Sequence, residues 1–399
     1  MLIKEENKID KYIPAFLLKD SSTFWIFLLA SLGVAIQLTV RGPAAYNNYI
    51  IFESSFSHLI NDQNLYRNYW DEYNDLYLYS PTFALLIAPL TLMPLWIQVI
   101  IWCCLNGFCV YYALRLLPLN NRQRLGMCLF MLIEYINASQ NVQVAPMVAA
   151  FIIFAFAFFE RDKIFLAAFF IILATFIKVY ALVAAILFLF YPNKLRFILY
   201  MIFWATIFLL APLLVNTPHQ VMFQYHQWIN LTLSIHQGEE TGVNPNIAIP
   251  LSVMGWLKTW FNLNPPALYI QLNGTVLLCL PFLRKQYYKN INFKLLVLAS
   301  ILIWAMIFNH IAESASYIVA ILGATVWLVT GKRDILTIAL AVLVFVLSVL
   351  SPTSLFPHYI KIHYVVPYAL KAFPCILLWF VIIYKLLFTE FNSPLAVKS

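Results

Sequence analysis

The sequence predicts an all-α protein, a polytopic transmembrane helical bundle, on three observations. First, the 399 residues are 63% hydrophobic and only 11% charged, against about 25% charged in a soluble domain. Second, apolar runs near the length of a membrane span recur along the whole chain, which makes lipid the solvent. Third, Lys and Arg fall in short clusters between those runs, where membrane orientation is encoded. The net charge of +8 therefore marks topology, and no nucleic-acid partner is expected. Cys103, Cys104, Cys109, Cys128, Cys279 and Cys375 lie in apolar runs without metal-ligand spacing. They are expected to be free packing residues, and neither a metal nor a cofactor is expected.

The elements follow in order. A polar stretch precedes the run Ser22 to about Val40, which is long enough to stay as an anchor, so no cleavable signal peptide is expected. Pro81–Leu117 is too long for one simple span and is broken at Pro89 and Pro94. It is expected to form a short helix followed by a crossing, Leu95–Leu117. Next come Leu125–Ile136, Val144–Phe159, and Ile164–Tyr191, which Lys178 interrupts. The remaining runs are Phe197–Val215, Ala267–Leu283, Leu295–Phe308, Tyr317–Thr330, Ile335–Leu350 and Leu370–Leu387. Residues 125–136 and 179–190 are short for a bilayer and are expected to be half-buried helices within the bundle.

The basic clusters assign sides. Lys4, Lys8, Lys11 and Lys19 place the N-terminus in the cytoplasm. Arg115, Arg122 and Arg124, then Arg161 and Lys163, Lys194 and Arg196, Arg284, Lys285 and Lys289, Lys332 and Arg333, and Lys385 all fall inside if the intervening runs pair. The expectation is a single domain over residues 1–399, with about twelve spans. Residues 1–21 and 389–399 would be cytoplasmic tails, and 41–80 and 216–265 outer-face loops. The chain would be a multi-pass protein of the cell (inner) membrane. Its outer side would then gather Asp71, Glu72, Asp75, Gln140, Asn141, Gln143, His226, Glu239, Glu240, Asn244, His310, Glu313, His358 and His363. A transporter or flippase would need polar groups through the midplane and repeated halves. The spans carry few ionisable residues besides Lys178 and Glu134, and no internal repeat is present. A site facing the periplasm or exterior fits better.

Four segments carry candidate chemistry, each with a blander reading beside it. Residues 46–60 (YNNYIIFESSFSHLI) place Tyr49, Phe52, Phe56 and Ile60 at helical spacing. This suggests an amphipathic outer-face helix that is either a simple lid or a carrier of site residues such as Asn48. Residues 65–81 (LYRNYWDEYNDLYLYSP) set three acids among aromatics, as general bases and sugar-stacking rings or as an interfacial belt. Lys178 within TFIKVYAL needs a partner or an anionic ligand such as a phosphate, unless it snorkels to headgroups. In NHIAES, His310 and Glu313 would share a face if a helix starts there, to hold substrate or shuttle a proton. Otherwise the segment is a polar loop. No metalloprotease, phosphate-loop, hydrolase-elbow or dinucleotide fingerprint is present.

These segments, with QNVQ at 140–143 and YSPTFAL at 79–85, resemble the family 87 glycosyltransferases of the GT-C fold, their Bacteroidetes-type members most closely. The likeness runs from about Tyr46 to Val329. The resemblance implies a GT-C-like membrane domain that moves a hexose, typically mannose, from a polyprenyl-phosphate carrier to a glycan, lipid or glycolipid acceptor. The lipid-linked sugar is a co-substrate, and the displacement is inverting and usually metal-independent. Lys178 matches the family lysine and takes the donor-phosphate role. Asn48, Tyr79, Gln143 and His310 become candidate substrate contacts. Where better-known members carry a catalytic Asp in an Asp-Phe pair, this chain has Asn48-Tyr49, and an amide cannot serve as a base. Of the remaining outer acids Glu53, Asp71, Glu72, Asp75 and Glu313, the favoured catalytic pair is Asp75 and Glu313, beside family-like motifs at span edges. The alternatives are a non-catalytic descendant of the fold and a transporter of lipid-linked substrate.

Overall fold

The computed structural model describes residues 14, 16–237, 250–331 and 334–391. Lys4, Lys8, Lys11, Glu239, Glu240, Asn244, Lys332 and Arg333 lie outside them. Among the described residues all regular structure is helical.

The first helix, α1 (Asp20–Arg41), leads through a short 3-10 turn into α2 (Asn47–Ile60). The long polar loop that follows ends where Ser80 caps α3 (Pro81–Ile87), its hydroxyl accepting from Phe83 N at 3.2 Å with Pro81 in the first turn. The predicted break at the prolines then separates α3 from α4 (Leu95–Leu116). Helix α5 spans Asn121–Gln140, longer than the expected run 125–136. A capping box between Asn120 and Gln123 starts it early, and it continues through the polar residues 137–140. Helices α6 (Ala145–Glu160) and α7 (Ile164–Ile177) follow. Lys178 is extended and ends α7, and residues 179–190 continue as a 3-10 helix.

The second half holds α8 (Lys194–Leu210), α9 (Pro218–Gln237), α10 (Val253–Phe261) and α11 (Ala267–Cys279). Helices α9 and α10 occupy a region expected to be outer loop, because their mixed polar and apolar sequence hides them from a span search. Helices α12 (Ile291–Ile307) and α13 (Ile318–Thr330) form a hairpin. Then come α14 (Ile335–Leu343), which runs on as a π-turn to Leu350, and α15 (Phe373–Phe388).

Three helices are long and apolar enough to cross a membrane: Ser21–Arg41, Leu95–Leu116 and Lys194–Leu214. Eight shorter apolar helices accompany them among the described residues. The core is built on α6, apolar all round and buried along nearly its whole length. It packs against α4 and α7, while α13 bridges it to α5 and α12. The α12–α13 hairpin is tight because Gly323 lets the backbones meet. A Cβ there would lie 2.7 Å from Ala299 O and 2.9 Å from Ile303 Cγ1.

One sequence expectation changes at α2. Tyr49 and Phe52 are buried as predicted, but Ile60 is 46% exposed. Ile51, Ser55, His58 and Leu59 complete the buried face instead, against α3 among other elements. The helix remains one-sided, with Asn48, Glu53, Ser57 and Ile60 on its less buried face.

Candidate functional site

The loops at one end of the bundle enclose a cavity of about 570 Å³. Helix α2 supplies Asn48 and Phe52, and the loop before α3 supplies Asp75 and Tyr79. The end of α5 and the turn after it supply Asn137, Asn141 and Gln143. Lys178 enters from the break after α7, Glu313 and Ser314 from the α12–α13 turn, and Lys361 and Lys371 from the segment before α15. A second cavity of about 340 Å³ adjoins it, sharing Leu78, Lys178 and Glu313 as a common wall. Its lining is largely apolar, including Ile177, Trp228, Leu231, Ile235, Trp304 and Phe308, and His310 lies there.

Six sequence-predicted site residues, Asn48, Asp75, Tyr79, Gln143, Lys178 and Glu313, therefore meet at the larger cavity, and His310 lies in the neighbouring one. The expected shared face of His310 and Glu313 does not form. Residues 309–313 are a turn closed by Ile311 N to Asn309 Oδ1 at 3.2 Å, a 3-10 turn follows at Ser314–Ser316, and α13 starts only at Ile318. Glu313 therefore stands on the wall common to both cavities, whereas His310 lines only the smaller one. Glu53, Asp71 and Glu72 line neither cavity, and Glu72 instead pairs with His58 at 2.9 Å.

The polar loop is fixed by its own hydrogen bonds. Asn47 donates to Asn74 O at 2.6 Å and its Oδ1 accepts from Asn74 N at 2.9 Å. Tyr66 and Tyr77 hydroxyls donate to Tyr79 O and Ser80 O at 2.9 and 2.8 Å. Asp75 is held at φ 122°, a conformation that costs an L-residue about 1–3 kcal/mol and collects at working sites. Its Oδ1 accepts from Leu76 N at 2.7 Å. Asn48 is committed elsewhere: its amide donates to Asn141 O at 2.8 Å.

Lys178 stands with Nζ 4.2 Å from the centre of the Tyr79 ring, a favourable cation–π distance. No carboxylate comes within 4.0 Å of it among the described residues. Its charge acts on Asp75 and Glu313 at longer range. Burial raises the Asp75 carboxyl above the usual carboxylate range, while the Leu76 N–H and Lys178 pull it back. Glu313 is also raised, first by burial, then by Asp75, with Lys178 and Gln143 opposing. Glu313 keeps accessible surface because it faces the cavities it lines, yet the protein around it thins its solvation. Two carboxyls primed towards the neutral form beside an unsequestered cation can accept a proton and hold an anion, respectively.

Sequence reasoning missed Lys371 and Lys361. Lys371 had a readable signal. Glu134 within a span requires a cation, and its partner is Lys371 at 2.7 Å, at the entry of the last apolar run. Lys361, whose Nζ donates to Pro352 O at 2.6 Å, had none.

Among known proteins, no curated sequence matches this chain. The family model for glycosyltransferase family 87 matches residues 77–352, a stretch that includes Tyr79, Gln143, Lys178, His310 and Glu313 and begins two residues after Asp75. The match covers more than half of the sequence and the whole wall common to the two cavities, and on that ground the chain belongs to glycosyltransferase family 87.

Proposed function

We propose that the protein transfers a hexose, with mannose the candidate, from a polyprenyl-phosphate donor to a glycan, lipid or glycolipid acceptor. The proposal includes an outer-face site in the cell membrane, cytoplasmic termini, a single domain of about twelve spans, and chemistry without a resident metal or cofactor. The observation that carries it is Lys178. It stands on the wall between a polar cavity and an apolar one, with Asp75 and Glu313 beside it. The apolar cavity suits the first isoprene units of a carrier, and the polar one suits sugar and acceptor.

In the proposed reaction an acceptor hydroxyl gives its proton to Glu313 or Asp75 as its oxygen attacks the anomeric carbon. The new C–O bond forms as the anomeric C–O bond to phosphate breaks, with inversion. The electron pair leaves with the polyprenyl phosphate, whose charge Lys178 balances. Tyr79, Gln143, Asn48 and His310 are proposed substrate contacts, Asn48 through its carbonyl because its amide is engaged.

The test is transfer from radiolabelled polyprenyl-phosphate-mannose, and from its glucose and galactose counterparts, by purified protein in proteoliposomes with envelope lipids as acceptors. Labelled product with wild type and its loss in Lys178→Ala and Glu313→Ala are expected. No product from wild type with any donor would refute transfer and leave a non-catalytic member of the family.

A further inference from the structure

An ionised pair inside a membrane bundle is expensive, and where it persists it usually fixes something. Glu134 on α5 and Lys371 just before α15 are 0% and 2% exposed and meet at 2.7 Å. An ammonium has three N–H donors. Those of Lys371 go to Glu134 Oε1 at 2.7 Å, Ser314 O at 2.8 Å and Ser314 Oγ at 3.1 Å. The donor set is complete, so Lys371 touches the cavity wall without a proton left over for a ligand phosphate. Two of its three bonds end on the residue after Glu313.

The same turn is held from its other side. Ser316 Oγ donates to Gln143 Oε1 at 3.2 Å, and Gln143 Nε2 reaches Glu313 Oε2 at 3.5 Å. Lys371 from one side and Gln143 from the other thus clamp three positions of a single turn. The turn has only two long backbone bonds of its own, Ser316 N to Glu313 O at 3.2 Å and Tyr317 N to Ser314 O at 3.3 Å.

We propose that Lys371, anchored by Glu134, is a positioning residue that fixes the 313–316 turn and thereby aims the Glu313 carboxyl into the cavity. The kinetic part rests on the proposed transfer reaction; the ordering of the turn does not.

Breaking the pair at one end would strand a buried charge, so the informative variant is the double Glu134→Leu/Lys371→Met, which keeps volume and removes both charges. Hydrogen–deuterium exchange of the full-length protein in nanodiscs is followed over residues 309–317. The amides of Ser316 and Tyr317 are expected to exchange at least about tenfold faster, while α12 and α13 exchange as in wild type. In the transfer assay kcat is expected to fall about ten- to a hundredfold, with donor KM within about twofold of wild type. A purely structural pair would change thermal stability and leave that split absent. Ser314→Ala removes one acceptor without touching the pair, and keeps the question open to refutation if the double variant does not fold. It should lower kcat about threefold, again at constant KM. Unchanged exchange over 314–317, or kcat equal to wild type in both variants, overturns the proposal. An inactive wild type refutes the transfer reading instead, and the exchange result still decides whether Lys371 orders the turn.

Discussion

Replacing Lys178 by Gln keeps length and polarity and removes one charge from the wall between the cavities. Its Nζ touches no carboxylate within 4.0 Å among the described residues, so the lost charge is one that a phosphate would otherwise meet. A charge-assisted hydrogen bond contributes about 1.5–3 kcal/mol, which predicts a fall in kcat/KM of about ten- to a hundredfold at neutral pH. The pH profile gives a second, independent sign. Burial raises Asp75 and Glu313, and Lys178 opposes that rise in both. Removing it pushes both carboxyls further up. A general base works only when ionised, so the acid limb of kcat/KM must move to higher pH and the deficit must widen as pH falls. The assay is initial-rate transfer from a polyprenyl-phosphate sugar in proteoliposomes across pH 5 to 8.5, with Lys178→Arg as the charge-retaining control. An acid limb in the wild-type position, or neutral-pH activity within about threefold of wild type, would sink the assignment of Lys178 to the donor phosphate.

Further outcomes are expected elsewhere. Glu313→Gln and Asp75→Asn separate the two carboxyls: the variant lacking the base should lose about 10²–10⁴ in kcat, the other markedly less, read by single-turnover transfer. Asn48→Asp should not raise activity, because aspartate cannot donate to Asn141 O as Asn48 does at 2.8 Å. It should also lower stability by about 1 kcal/mol, and a tenfold gain in kcat would instead put the base at position 48. Gly323→Ala drives a Cβ to 2.7 Å from the Ala299 carbonyl, and should destabilise the protein by about 1–3 kcal/mol in a detergent melting assay.

Much of the helical framework was legible because lipid imposes a simple rule on the sequence: long apolar runs, with punctuation at Pro, Gly and charge. The α3–α4 break at the prolines and the end of α7 at Lys178 are cases in point. The rule fails where an element is neither uniformly apolar nor exposed. Helix α9 reads as loop, and α5 reads too short because its polar ends are helical through capping and neighbour contacts. At the site, motif position pointed to Asp75, Lys178 and Glu313, and all three line the larger cavity. It could not show that the turn at Asn309–Glu313 leaves His310 lining only the smaller cavity, since that depends on local turn geometry and not on spacing. Lys371 was legible only in part. Glu134 within a span calls for a cation, but the one that answers lies 237 positions away in sequence, and no one-dimensional pattern names it.

The hydroxyl of Ser80 donates to Phe176 O at 2.5 Å. That carbonyl lies in the last turn of α7, where Lys178 interrupts the helix and leaves acceptors that lipid cannot satisfy. The loop bearing Asp75 and the segment bearing Lys178 are therefore two pieces of chain closed by one shared bond. Among homologues, position 80 and the residues at the break are expected to drift together. A lineage that loses the hydroxyl at 80 should either restore a continuous helix through 178 or bring in a new donor, and a sequence alignment would record that exchange as covariation.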